Sequence, residues 1–118
     1  MYKRQGPIGR KQGVAFQIAD LEVMLHASRL LTYRAAAMKD GGAPVKDFKQ
    51  AASVAKLYTT ESAVTATRIA TQVFGGYGFM EEYPVARFYR DAKVLEIGEG
   101  TSEVQRMLIA RGLGLPVE

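Results

Sequence analysis

A chain of 118 residues with 47% hydrophobic and 24% charged side chains has the composition of one folded, soluble domain, which excludes an extended disordered segment. It contains no cysteine, so disulfides, thiolate metal sites and a cysteine nucleophile are excluded, and no apolar run approaches the roughly 18 residues of a membrane span. The formal charge of +4 lies wholly at the N-terminus: without Lys3, Arg4, Arg10 and Lys11, twelve basic residues face twelve acidic ones. No basic stripe interleaved with aromatics follows, so no nucleic-acid partner is expected and the arm reads as a solvated linker. No signal-peptide pattern opens the chain, and a cytoplasmic protein is expected.

Residues 1–12 form a basic lead-in, punctuated by Gly6, Pro7 and Gly9, and residues 13–118 the domain proper. Helical spacing of Val14, Ile18, Leu21 and Leu25 predicts a first helix over 13–39. Phe16, Val23 and Leu30 lie off that stripe, so this helix is expected to meet two neighbours, one of them from another chain or domain. His26, the only histidine, has no companion ligand and reads as an ordinary helix residue. Asp40, Gly41, Gly42, Ala43 and Pro44 end the helix. Asp47 with Gln50 predicts a capping box for a second helix over 48–74, whose small-residue face of Ala51, Ala55, Ala66 and Ala70 suits an antiparallel pair.

Gly75, Gly76 and Gly78 stop that helix; as a phosphate loop they are misplaced, because they follow a helix. Pro84 suits the first position of a shorter helix over 84–96. There follows a corner in which Glu99 stands between Gly98 and Gly100, directly before Thr101 and Ser102. The glycines permit a sharp turn, and Ser102 with Gln105 predicts a capping box for a last helix over 102–111. Free N–H groups at such a helix start attract anions. From spacing alone, Glu99 reads as a solvated loop carboxylate and Thr101 or Ser102 as a plain cap. With no strand pattern, the expected fold is all-α, an up-and-down four-helix bundle.

Three segments together resemble the C-terminal helical domain of the acyl-CoA dehydrogenase family. They are Gln12 with the helix carrying Leu30-Leu31-Thr32-Tyr33-Arg34-Ala35, then Gln72 to Gly78 with Glu82-Tyr83-Pro84, and lastly Tyr89-Arg90-Asp91-Ala92-Lys93 through Glu99-Gly100-Thr101-Ser102-Glu103 to Gln105-Arg106. The likeness runs collinearly over nearly the whole chain. Where the family commonly has Phe-Gln, this chain has Lys11-Gln12.

The resemblance implies α,β-dehydrogenation of acyl-CoA thioesters, with a carboxylate taking the α-proton and FAD the β-hydride. Glu99 matches the base, and its own N–H a donor to the thioester carbonyl. An apolar acyl chain and a flavin that exclude water raise a carboxylate's pKa towards the range a general base needs. Gly100 matches a substrate contact; Thr101, Ser102 and Glu103 match flavin contacts. Gln72, Val73, Phe74, Gly75 and Gly76, with Gln12, match contacts to an FAD held mainly by a neighbouring subunit. A homo-oligomer is therefore expected, a tetramer at full length. Family members are about three times as long, which implies an excised or separately encoded domain, inactive without its N-terminal and β-domains. The alternative is a non-catalytic helical module for self-association.

Overall fold

The computed structural model describes residues 6–118. Among them are four α-helices and no strand: α1 (Gln12–Asp40), α2 (Val45–Phe74), α3 (Val85–Leu95) and α4 (Ser102–Gly112), with 3-10 turns at Ile8–Arg10 and Gly75–Gly78. The all-α reading holds. The lead-in is less extended than its glycines imply, since Arg10 N–H donates to Pro7 O and Lys11 N–H to Ile8 O. Its Lys3 and Arg4 lie outside the described residues.

The end of α1 follows from its sequence. Gly42 takes φ +72°, Ala43 N–H returns to Met38 O at 2.9 Å and Gly42 N–H to Lys39 O at 3.2 Å, a Schellman closure that satisfies two terminal carbonyls. Pro44 then caps α2, which begins at Val45, three residues earlier than predicted, and the Asp47–Gln50 box does not form. Gln50 instead reaches across to Ile109 O at 3.2 Å. Within α2, Thr60, Thr67 and Thr71 return their hydroxyls to carbonyls four residues back, at 2.8–2.9 Å, so polar side chains sit in a packed helix without unmet hydrogen bonds.

Helix α2 is the hub. Helix α1 packs on it from one side, while α3 and α4 succeed one another along another side. Their register is antiparallel to α2: Gly78 lies against Thr71, Leu95 and Gly100 against Lys56, and Ile109 against Gln50. The up-and-down alternation therefore runs α1, α2, then the α3–α4 rank. Gly78 is required where that rank begins, because a Cβ there would run into Thr71 O.

The core is small-sided: Ala51, Ala55, Val85 and Ala92 are its buried apolar residues, and α1 contributes none. The bundle measures 62 × 24 × 24 Å with a radius of gyration of 18.0 Å, where about 13–14 Å is usual for this length. It exposes 8844 Å², against about 6,300 Å² for a compact monomer of this mass. Phe16, Val23 and Leu30, which the sequence sets off the main stripe, each stand more than 60% exposed on α1, and Tyr33 stands exposed with them. No helix is long and apolar enough to cross a membrane among the described residues.

Candidate functional site

The α3–α4 corner is built by two helix ends that must be joined in a few residues. Helix α3 closes with Ile97 N–H to Val94 O at 3.0 Å and Gly98 N–H to Val94 O at 2.8 Å. The chain then reverses through Glu99 at φ +55° and Gly100 at φ +91°, and Thr101 returns to extended backbone as the cap of α4. Glu99 is the only non-glycine residue with positive φ among those described. The expectation that the two flanking glycines supply the turn holds for Gly100 and not for Gly98, which keeps an ordinary φ: the other left-handed step falls on the glutamate itself. For a residue with a Cβ, that conformation costs on the order of 1 kcal/mol and persists only where surrounding contacts fix it.

Those contacts leave Glu99 open outwards. Its side chain is exposed, and among the described residues it makes no ion pair or hydrogen bond and its N–H donates to no protein acceptor. Its carbonyl faces inward, 3.5 Å from the amide nitrogen of the buried Gln105, and Gly100 O lies equally far from that nitrogen. The predicted Ser102–Gln105 box is thereby replaced. Thr101 is the cap, its hydroxyl accepting from Val104 N–H at 3.3 Å, and Gln105 is spent on the corner.

The start of α4 is largely self-satisfied. Ser102 N–H donates to Glu96 O at 3.0 Å, and the Glu103 carboxylate folds back onto its own N–H. That bond, with the Thr101 hydroxyl, holds the Glu103 carboxyl below its usual range. Lys93, bonded to Glu96 at 2.5 Å, is raised by that hydrogen bond and charge. Arg106 pairs with Glu61 at 2.6 Å. An anion at this helix start would compete with Glu103, so the open-helix-end picture drawn from the sequence is too simple. One buried polar side-chain atom stays unmet among the described residues: Ser102 Oγ has no partner there. It borders a cleft of about 260 Å³ lined also by Glu61, Lys93, Glu96, Thr101 and Glu103.

The remaining sequence candidates gather elsewhere. Gln12 opens α1 and Gln72, Val73 and Phe74 close α2, so the antiparallel pair carries them to the same end of the bundle. Gln12, Gln72, Phe74, Gly75 and Gly76 are exposed there and Val73 is half-buried. Phe74 and Tyr83 meet edge to face at 5.8 Å beside them. From Lys56, which marks the level of the Glu99 corner, Phe74 lies about 27 Å along α2. Glu99, Gly100, Thr101, Ser102 and Glu103 are thus brought together, and the Gln12 and Gln72–Gly76 group is kept apart from them.

Lys56 is the residue that the sequence did not single out. Its ammonium donates to Leu95 O at 2.8 Å and Gly100 O at 2.6 Å, tying both sides of the corner to α2. A lysine on a helix face carries no local signal for partners 39 and 44 residues away.

The chain is an all-α domain whose only left-handed non-glycine residue, among those described, is a glutamate at a helix–helix corner, and comparison with known proteins gives it a family. A family profile described as "Acyl-CoA dehydrogenase, C-terminal domain" matches residues 2–114. The chain belongs to the acyl-CoA dehydrogenase family and corresponds to that C-terminal domain. It is 44% identical over 104 residues to the mitochondrial short-chain specific acyl-CoA dehydrogenase of Bos taurus, covering 88% of this chain and 24% of that protein. It is likewise 44% identical over 105 residues to the acryloyl-CoA reductase (NADH) of Anaerotignum propionicum, covering 89% of this chain and 26% of the relative. The solved structure of butyryl-CoA dehydrogenase from Megasphaera elsdenii superposes with a TM-score of 0.89 at 42% identity, over 96% of this chain and 29% of that one. The chain spans about a quarter of the length of the relatives it matches.

Proposed function

We propose that this domain supplies the proton-transfer corner of an FAD-dependent acyl-CoA dehydrogenase, with Glu99 as the base that removes the α-proton of an acyl-CoA thioester. The observation that carries the proposal is the pairing of two free groups on one residue: an unpartnered, exposed carboxylate and an unpartnered N–H, at the only strained non-glycine position among the described residues. Strain of this kind collects at functional sites. A thioester docked with its carbonyl on the Glu99 N–H would place its α-carbon beside the carboxylate. The base then takes the proton while the N–H stabilises the negative charge that gathers on the carbonyl oxygen. Gly100 is the substrate contact in this reading, and its lack of a Cβ, which would meet the Gln105 amide at 2.7 Å, lets the turn close beneath that contact.

FAD, when bound, accepts the β-hydride. The residues present fit such a group in two places. Near the corner, Thr101 and Glu103 reach the surface, and the orphaned Ser102 hydroxyl would gain a partner if it turned outward, relieving a cost of about 1–3 kcal/mol. At the far end, Gln12 and Gln72 to Gly76 present exposed amide and main-chain groups suited to the adenosine half. The roughly 27 Å between these groups supports their serving two different FAD molecules in a homo-oligomer, a tetramer at full length. The surplus exposed surface and the open apolar side of α1 support the same assembly.

Activity requires the flavin-carrying remainder of the protein, because the cofactor performs the hydride chemistry and this chain positions it. A carboxylate that removes the α-proton in oxidation returns it in reduction, so the corner serves either direction. In stopped-flow mixing of acyl-CoA with the complete flavoprotein, Glu99→Gln is expected to slow flavin reduction by at least about 100-fold. Reduction at the wild-type rate would remove Glu99 from the reaction.

A further inference from the structure

We propose that Lys56 is a positioning residue for the reaction: from α2 it sets the direction in which the Glu99 corner presents its main-chain and carboxylate groups. The inference rests on the reading of Glu99 as the base. Its ground is geometric. Leu95, the last residue of α3, offers one of the carbonyls that a helix end leaves unpaired, and a cation there is favoured by the helix dipole. Lys56 occupies that place at 2.8 Å. Were this all, it would be a plain helix cap.

The second bond changes its meaning. The same ammonium holds Gly100 O at 2.6 Å, across the turn and on the far side of Glu99. Two carbonyls five residues apart in sequence are thereby pinned to one nitrogen, and Glu99 is on the span between them. A trans peptide points its N–H opposite to its C=O. Drawing Gly100 O inward therefore turns the Thr101 N–H outward, and Gln105, drawing Glu99 O inward, does the same for the Gly100 N–H. Neither N–H has a protein acceptor among the described residues. The left-handed φ of Glu99 is the conformation that meets both inward carbonyls at once.

Lys56 itself is half-buried and has no carboxylate partner among the described residues. Lys49 and Lys46, about two and three turns earlier on α2, line a cleft together with Lys56 but make no such bonds among the described residues. The three lysines provide an internal comparison.

Competitive amine labelling of the wild-type chain, read by mass spectrometry, is expected to acylate Lys56 at least tenfold more slowly than Lys46 and Lys49. Equal rates would overturn the clamp. In the complete flavoprotein, Lys56→Met is expected to slow flavin reduction at saturating acyl-CoA by about tenfold or more, with the dissociation constant for acyl-CoA changed by less than about twofold. Lys56→Arg, which keeps two donors, is expected to recover most of the rate. A Lys56→Met protein that binds flavin and reacts at the wild-type rate overturns the proposal, as does Lys56→Arg reacting no faster than Lys56→Met. Glu99→Gln in parallel separates the two claims. If it abolishes reduction while Lys56→Met does not, only the positioning role fails; if it reacts normally, the base assignment fails whatever the labelling shows.

Discussion

Glu99 combines a stability cost with an open functional group. A left-handed glutamate is held at φ +55° although glycine would adopt that angle without strain. Replacing it should therefore separate stability from function. Glu99→Gly is expected to raise unfolding stability by up to about 0.6 kcal/mol, the relief of strain less the entropy glycine adds to the unfolded chain, as read from urea midpoints. The residue scale was only partly legible in the sequence. A carboxylate between glycines is visible in the sequence, which predicts that both glycines make the turn; Gly100 does, but Gly98 has an ordinary φ and the glutamate carries the other left-handed step. Nothing local to positions 95–102 discloses that Lys56 holds their carbonyls, because the link is made by tertiary packing.

Helix boundaries show where local sequence chemistry suffices and where it is overridden. The end of α1 was readable because Gly42, Ala43 and Pro44 close the helix by themselves. Two glutamines expected to cap helices do not do so. Gln50 and Gln105 are drawn instead to Ile109 O and to the Glu99 corner, where part-buried main-chain carbonyls accept from them. The cap of α4 falls one residue earlier, on Thr101. Thr101→Ala is expected to cost about 1 kcal/mol of stability and Thr101→Ser a few tenths. The same element carries the pH dependence. Glu103, held below its usual 4.5, contributes stability that is present above its unfolded value and lost as pH falls through its lower folded value. Lys93, held above 10.5, contributes stability lost as pH rises through its higher folded value. Denaturation curves at acid pH should show a smaller pH dependence in Thr101→Ala than in wild type, since the hydroxyl that helps hold Glu103 ionised is gone; identical pH dependence would count against that contact.

Across the whole molecule, the shape and the surface agree. Four helices and their order were evident from periodicity and turn residues. The thinness of the core was not, because a sequence does not say which of two apolar sides finds a partner within the chain. Helix α1 buries no residue fully, and its Leu30 is 69% exposed. If this side joins copies of the protein, Leu30→Glu should leave helical content unchanged by circular dichroism and shift sedimentation towards monomer. An unchanged sedimentation profile would move the interface elsewhere.

In the proposed reading this domain sits beside a flavin, and the proton chemistry is assigned to the Glu99 corner. The most direct test isolates that chemistry from hydride transfer. With the flavin of the complete protein already reduced, hydride transfer to it is blocked, and bound acyl-CoA in deuterium oxide can only exchange its α-proton. Mass spectrometry of the recovered thioester is predicted to show α-deuterium in wild type and uptake at least about 100-fold slower in Glu99→Gln. Equal uptake in the two proteins would contradict the assignment of Glu99 as the base.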